Sequence, residues 1–121
     1  MKNFIILTES IEFIENNLCE PITRTDVAQQ CFVSLSALEK LYNYALRIGI
    51  KDYIERRRMT RAAKEIAKSG LSVTDAAMRY CYNSVEVFSR AFFRVWNINP
   101  SEFGSKWKFT GIFPKINPNL L

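Results

Sequence analysis

Histidine is absent from this chain, and glycine is scarce, with four in 121 residues. Three cysteines (Cys19, Cys31, Cys81) form no CxxC pair, so without histidine a structural zinc site lacks its usual donors. An odd, scattered trio makes no disulfide framework either, and the thiols are expected to be buried or inert. With no glycine-rich phosphate loop, only Cys81 and scattered carboxylates remain as reactive chemistry. An enzyme is not expected, and neither a metal nor a cofactor is called for. Long apolar runs are also missing. The opening NFIIL is broken by Thr8 and Glu9, too soon for a signal sequence or a membrane span, so no membrane partner is expected.

Acidic excess is confined to one half. Residues 1–50 carry four basic and six acidic groups, whereas residues 51–121 carry thirteen and six, and the whole chain is +5. The densest basic cluster is Arg56, Arg57, Arg58, Arg61 and Lys64. A basic stripe on a helical protein is the electrostatic footprint of a polyanion. The alternative is a solvated helix face paired to Glu55 and Glu65.

The strongest signal is an internal repeat between Thr23–Tyr42 and Ser72–Phe92. Each copy opens on a helix-start box, Thr23 with Asp26 and Ser72 with Asp75, in which a hydroxyl and a carboxylate satisfy orphan backbone N–H groups. Each continues through a short alanine-bearing helix and a turn to a second serine start, at Ser34 and Ser84. Apolar residues then follow at the same spacing, Leu38 and Tyr42, then Phe88 and Phe92. Two short helices joined by a tight turn read as a helix-turn-helix.

The expected fold is therefore all-α, with two helix-turn-helix subdomains, at 1–49 and 70–107, joined by a long linker helix at 50–69. Phe4, Leu7, Ile11, Ile14 and Leu18 step by three and four, placing a first amphipathic helix over 3–18 that ends at Pro21. Helix three is expected to run from Ser34 to about Leu46, closed by Gly49, and the linker to end at Gly70. Asn99-Pro100-Ser101-Glu102 reads as one more helix start. The last stretch, 108–121, is apolar, holds Pro114 and Pro118 and lacks a helical period. It either packs on the body or leads into a further domain with an effector site.

These positions together resemble the DNA-binding region of the AraC/XylS family of transcription regulators over about residues 4–107. The residues that carry it are Pro21-Ile22-Thr23, then Ser34, Leu38 and Tyr42, then Gly49, Tyr53, Ile54, Arg57, Met59 and Ala63. In the second half they are Leu71-Ser72-Val73, Asp75-Ala76-Ala77, then Ser84, Phe88-Ser89-Arg90 and Phe92, then Asn99-Pro100-Ser101-Glu102-Phe103. The resemblance implies binding of promoter double-stranded DNA by two heads, with RNA polymerase as a further partner. It also implies a base-contacting role for Arg90 and a structural one for Arg57. Two departures stand out. Phe32 and Cys81 replace the glycine usual in each turn, so either the turn is reshaped or strain of about 1 kcal/mol is tolerated. The segment from Tyr42 to Gly49 also looks about two residues longer than usual, so helix three is expected to end differently.

A recognition helix reads base edges with the solvent face of its first turns. That selects Ser36, Glu39 and Lys40 in the first head and Val85, Glu86, Ser89 and Arg90 in the second. Arg90 leads the set, because a guanidinium can bond guanine O6 and N7 together. Its competing role is an ion pair with Glu86 one turn earlier. Phosphates are assigned to Thr23, Ser34, Ser72 and Ser84 at helix starts, where free N–H groups suit anions. Arg56, Arg58, Arg61, Lys64 and Arg94 are the side-chain helpers. A linker of some eighteen residues is about 27 Å long, near the roughly 34 Å between successive major-groove faces. One chain can thus act as a monomer on an asymmetric bipartite site, with the second head supplying most of the affinity. The competing function is a helical protein-interaction module without DNA binding, which would have no need of the arginine cluster or of Arg90.

Overall fold

The computed structural model describes residues 2–106; the tail at 108–121 lies outside the described residues. The described chain forms α1 (Lys2–Asn16), α2 (Arg24–Gln30), α3 (Leu35–Leu46), α4 (Ile50–Ser69), α5 (Val73–Arg79), α6 (Val85–Trp96) and α7 (Pro100–Lys106). It divides into two compact units, with the break inside α4 between Ile54 and Glu55. That helix gives its first turn to one unit and the remainder to the other.

In the first unit α1 packs on α2 and α3. Leu7, Ile11, Ile14 and Leu18 form its buried stripe with Val27, Ala28, Leu38 and Tyr42. Phe4, expected in that stripe, is 39% exposed, and α1 ends at Asn16, so Leu18 packs from the turn that follows. The unforeseen core member is Ser10. Its buried hydroxyl lies 2.7 Å from the Tyr42 phenol oxygen, so each polar atom finds its partner without water. Tyr53 packs edge-on against Tyr42 with ring centroids 6.0 Å apart.

The second unit is built on aromatic rings instead. Phe92 of α6 contacts Phe88, Trp96 and Phe103, at centroid separations of 5.9, 6.4 and 5.4 Å. Trp96 Nε1 donates to the carbonyl of Met59 at 3.0 Å, which ties the end of α6 to α4. Such a cluster combines large apolar burial with ring-edge geometry that holds neighbours in place.

All four start hydroxyls cap their helices, but only the Thr23 start forms the reciprocal box expected at both Thr23 and Ser72. Thr23 Oγ1 accepts from the Asp26 N–H at 3.1 Å and Asp26 Oδ2 from the Thr23 N–H at 2.8 Å, a full capping box. Ser34, Ser72 and Ser84 each accept from the N–H three residues on, at 3.1 Å. The two turns also share a backbone. Phe32 (φ 58°) and Cys81 (φ 69°) keep the left-handed conformation usually given to glycine. Behind each, an N–H five residues on closes the helix, Val33 to Ala28 at 3.1 Å and Tyr82 to Ala77 at 2.9 Å, a Schellman-type end. The strain is tolerated rather than relieved by a new turn.

Helix three is not extended: α3 and α6 both have twelve residues and both stop on a left-handed residue, Arg47 (φ 58°) and Asn97 (φ 59°). Gly49 does not close α3. Its carbonyl accepts from the Tyr53 N–H at 2.9 Å, so it starts α4. The only length change within the repeated turn is one additional residue, Asn83, before the second N-cap.

Candidate nucleic-acid interface

The second helix of each repeat, α3 and α6, buries one stripe and turns the opposite side outward. On α6, Phe88, Ala91 and Phe92 are fully buried, while Glu86 and Arg90 are exposed and Val85 and Ser89 half-buried. Among the described residues no ion pair joins Arg90 to Glu86, so the guanidinium projects from an otherwise fixed helix. Val87 is 38% exposed beside them.

On α3, Leu38 and Tyr42 are buried and Ser36 and Lys40 exposed. Glu39 is different. Its carboxylate is half-buried, with Oε1 3.6 Å from Arg24 Nη1, an ion pair too long for a hydrogen bond. A carboxylate held against α2 is a poor reader of cytosine, and Arg24 is a cation that the sequence pattern did not select. Lys40 borders an apolar cavity of about 400 Å³ between α3 and the start of α1, with Ile6, Leu41 and Tyr44 on its walls.

The α4 cations are not one stripe. At about 100° per residue, Arg58, Arg61 and Lys64 step along one side, while Arg56 lies about 160° round the helix from Arg58. Arg56 and Lys64 are exposed, and Arg58 and Arg61 half-buried. Arg57, set aside as structural, is only 6% exposed. Two carboxylates of α4 reach other elements of the second unit. Glu65 accepts from Arg79 Nη1 and from the Tyr80 hydroxyl, fastening α5 to α4. Glu55 grips Arg94 with two bonds, Nε to Oε1 at 3.2 Å and Nη2 to Oε2 at 3.1 Å. Arg94, expected at a phosphate, therefore has its guanidinium committed within the second unit. Thr23, Ser34 and Ser72 lie exposed at their helix starts, and Ser84 half-buried.

Among the described residues no group of His, Cys, Asp and Glu is placed to hold a metal ion, and no helix is long and apolar enough to cross a membrane.

Comparison with known proteins decides the family. A family model described as a helix-turn-helix domain matches residues 27–106. The transcriptional activator AarP of Providencia stuartii is 31% identical over 96 residues, which are 79% of this chain and 71% of AarP. The chain belongs to the AraC family of helix-turn-helix transcription regulators. It is accordingly a DNA-binding protein of that type. YkgA of Escherichia coli K12, named as an HTH-type transcriptional regulator, is 32% identical across 92% of this chain, which spans about half (47%) of YkgA. The crystal structure of an AraC-type regulator from Chromobacterium violaceum superposes with a TM-score of 0.78 at 27% identity, covering 84% of this chain and 90% of that one.

Within this AraC-type regulator, sequence pattern missed the residues that pair across long separations: Ser10 with Tyr42, Glu39 with Arg24, Glu55 with Arg94. Helical period marks which side of a helix is buried. It carries no signal for a polar partner on another helix. Only Ser10 left a trace, as a polar residue inside an apolar stripe.

Proposed function

We propose that this AraC-family protein is a transcription regulator that reads two successive major-groove faces of a promoter with α3 and α6. Arg90, with Ser89, Glu86 and Val85, contacts base edges through the second head. Lys40 and Ser36 do so through the first, where Glu39 acts on Arg24 rather than on a base. Arg56, Arg58, Arg61 and Lys64, with the helix starts at Thr23, Ser34, Ser72 and Ser84, take the phosphates. The observation that carries this reading is the exposed Arg90, unengaged by Glu86, on a helix whose other side is fully buried. Since AarP is named a transcriptional activator, activation through contact with RNA polymerase is the expected outcome of binding. The more acidic first head offers the surface for that contact.

Selection of bound duplexes from a random pool tests the reading. The purified chain should enrich an asymmetric site with two separate motifs. Its affinity should fall steeply with salt, with a log–log slope of about −4.5 to −6.3 if about five to seven phosphates are neutralised. A chain that enriches nothing and binds mixed duplex without salt dependence would instead be an interaction module.

A further inference from the structure

The Glu55–Arg94 pair joins two helices, 39 residues apart in sequence, by the one geometry that fixes direction as well as distance. Two parallel bonds, at 3.2 and 3.1 Å, lock a planar guanidinium to a planar carboxylate. The Glu55 side chain is 23% exposed and the Arg94 side chain 59%, so only the carboxylate side of the pair is shielded from solvent. Tyr82, from the turn that leads into α6, is half-buried in the same neighbourhood. Burial and the charge of Glu55 push its phenol up to about 12, against the pull of Arg58 and Arg94. The Tyr82 ring itself packs edge-on against Phe88, with centroids 5.6 Å apart.

The Phe92 ring cluster and the Trp96–Met59 hydrogen bond seat α6 on its neighbours, and the Glu55–Arg94 fork adds a directional polar tie one turn from Arg90. Arg94 lies four residues after Arg90, on the same face and one turn on. Whatever sets the azimuth of Arg94 about the α6 axis also sets that of Arg90. We infer that Glu55 is a positioning residue for sequence recognition: by holding Arg94 it fixes the rotation of α6, and with it where Arg90 meets the bases. Arg94 is then a strut between α6 and α4 and not a phosphate clamp. This inference rests on Arg90 reading bases.

The test uses the whole chain, its selected duplex and a scrambled duplex, with two variants. In Arg94→Gln the preference for the selected duplex should fall about tenfold, while the Kd for scrambled duplex stays within about twofold and the salt slope is unchanged. In the exchanged pair, Glu55→Arg with Arg94→Glu, the preference should recover to within about threefold of the parent. Circular dichroism melts establish that each variant is folded. Equal loss on both duplexes in Arg94→Gln, with a salt slope shallower by about one unit, would make Arg94 a phosphate contact and overturn the inference. A folded exchanged pair that fails to recover preference would overturn it too. Failure of the DNA reading itself is seen separately, in the parent chain, as absence of any preferred duplex.

Discussion

The two heads have the same backbone and different glue. Both run through a capped helix, a left-handed turn residue, a second serine cap and a twelve-residue helix stopped by a left-handed residue. Yet the central ring of the first head is a tyrosine whose hydroxyl must be met by Ser10, while the second has Phe92 among Phe88, Trp96 and Phe103. Burial raises the Tyr42 pKa far above that of an ordinary phenol, despite the hydrogen bond that pulls the other way, so it stays neutral. The carboxylates differ in the same sense. Glu39 stands 3.6 Å from Arg24 with an oxygen unbonded, whereas Glu55 and Glu65 are fully used in strapping α6 and α5 to α4. A duplicated fold keeps what its backbone demands. The side chains that fix each helix in place are free to diverge.

The largest effect that separates the heads should come from the aromatic cluster. Phe92→Ala removes a fully buried ring and should cost about 3–5 kcal/mol. Hydrogen exchange should show protection lost in α5, α6 and α7 and retained in α1 to α3; loss spread evenly over both would mean that the heads do not unfold separately. A smaller difference is expected in recognition. Arg90→Ala should lower the preference for the second motif of the site by about 1–3 kcal/mol. Lys40→Ala should cost less than Arg90→Ala, since a lysine makes no bidentate fork. The two losses are measured by competition with duplexes altered in one motif at a time, and equal losses would erase the asymmetry.

The smallest difference concerns the turns. Phe32 is 94% exposed at φ 58°, so Phe32→Gly removes left-handed strain together with an unburied ring and should raise stability by about 0.5–1 kcal/mol in urea melts. Cys81→Gly should gain less, because Cys81 is half-buried and loses contacts. A destabilised Phe32→Gly would show that the ring is held by something within the first head.

Much of this was legible from residue order because the signals were local. Serine and threonine at helix starts, three-and-four spacing and glycine at Gly70 each act within one or two turns of their own position. The same locality explains the failures. Gly49 sits near the end of α3, but which neighbouring helix it serves depends on where Arg47 turns left-handed. Phe4 continues the apolar spacing of α1, yet is 39% exposed where Leu7, Ile11 and Ile14 are buried. For the interface, helical period marked Arg90 as outward, and the family resemblance implied that Arg57 is structural. Neither could show that Arg94 is held by Glu55, or that Glu39 leans on Arg24.

Residue order alone carries the repeat, the helices and the buried stripes, since caps and hydrophobic period are read within a few residues of chain. Which charge pairs with which is set only in three dimensions. Each carboxylate chooses its cation by proximity in space, across 14 to 39 residues here, and no local pattern encodes that choice.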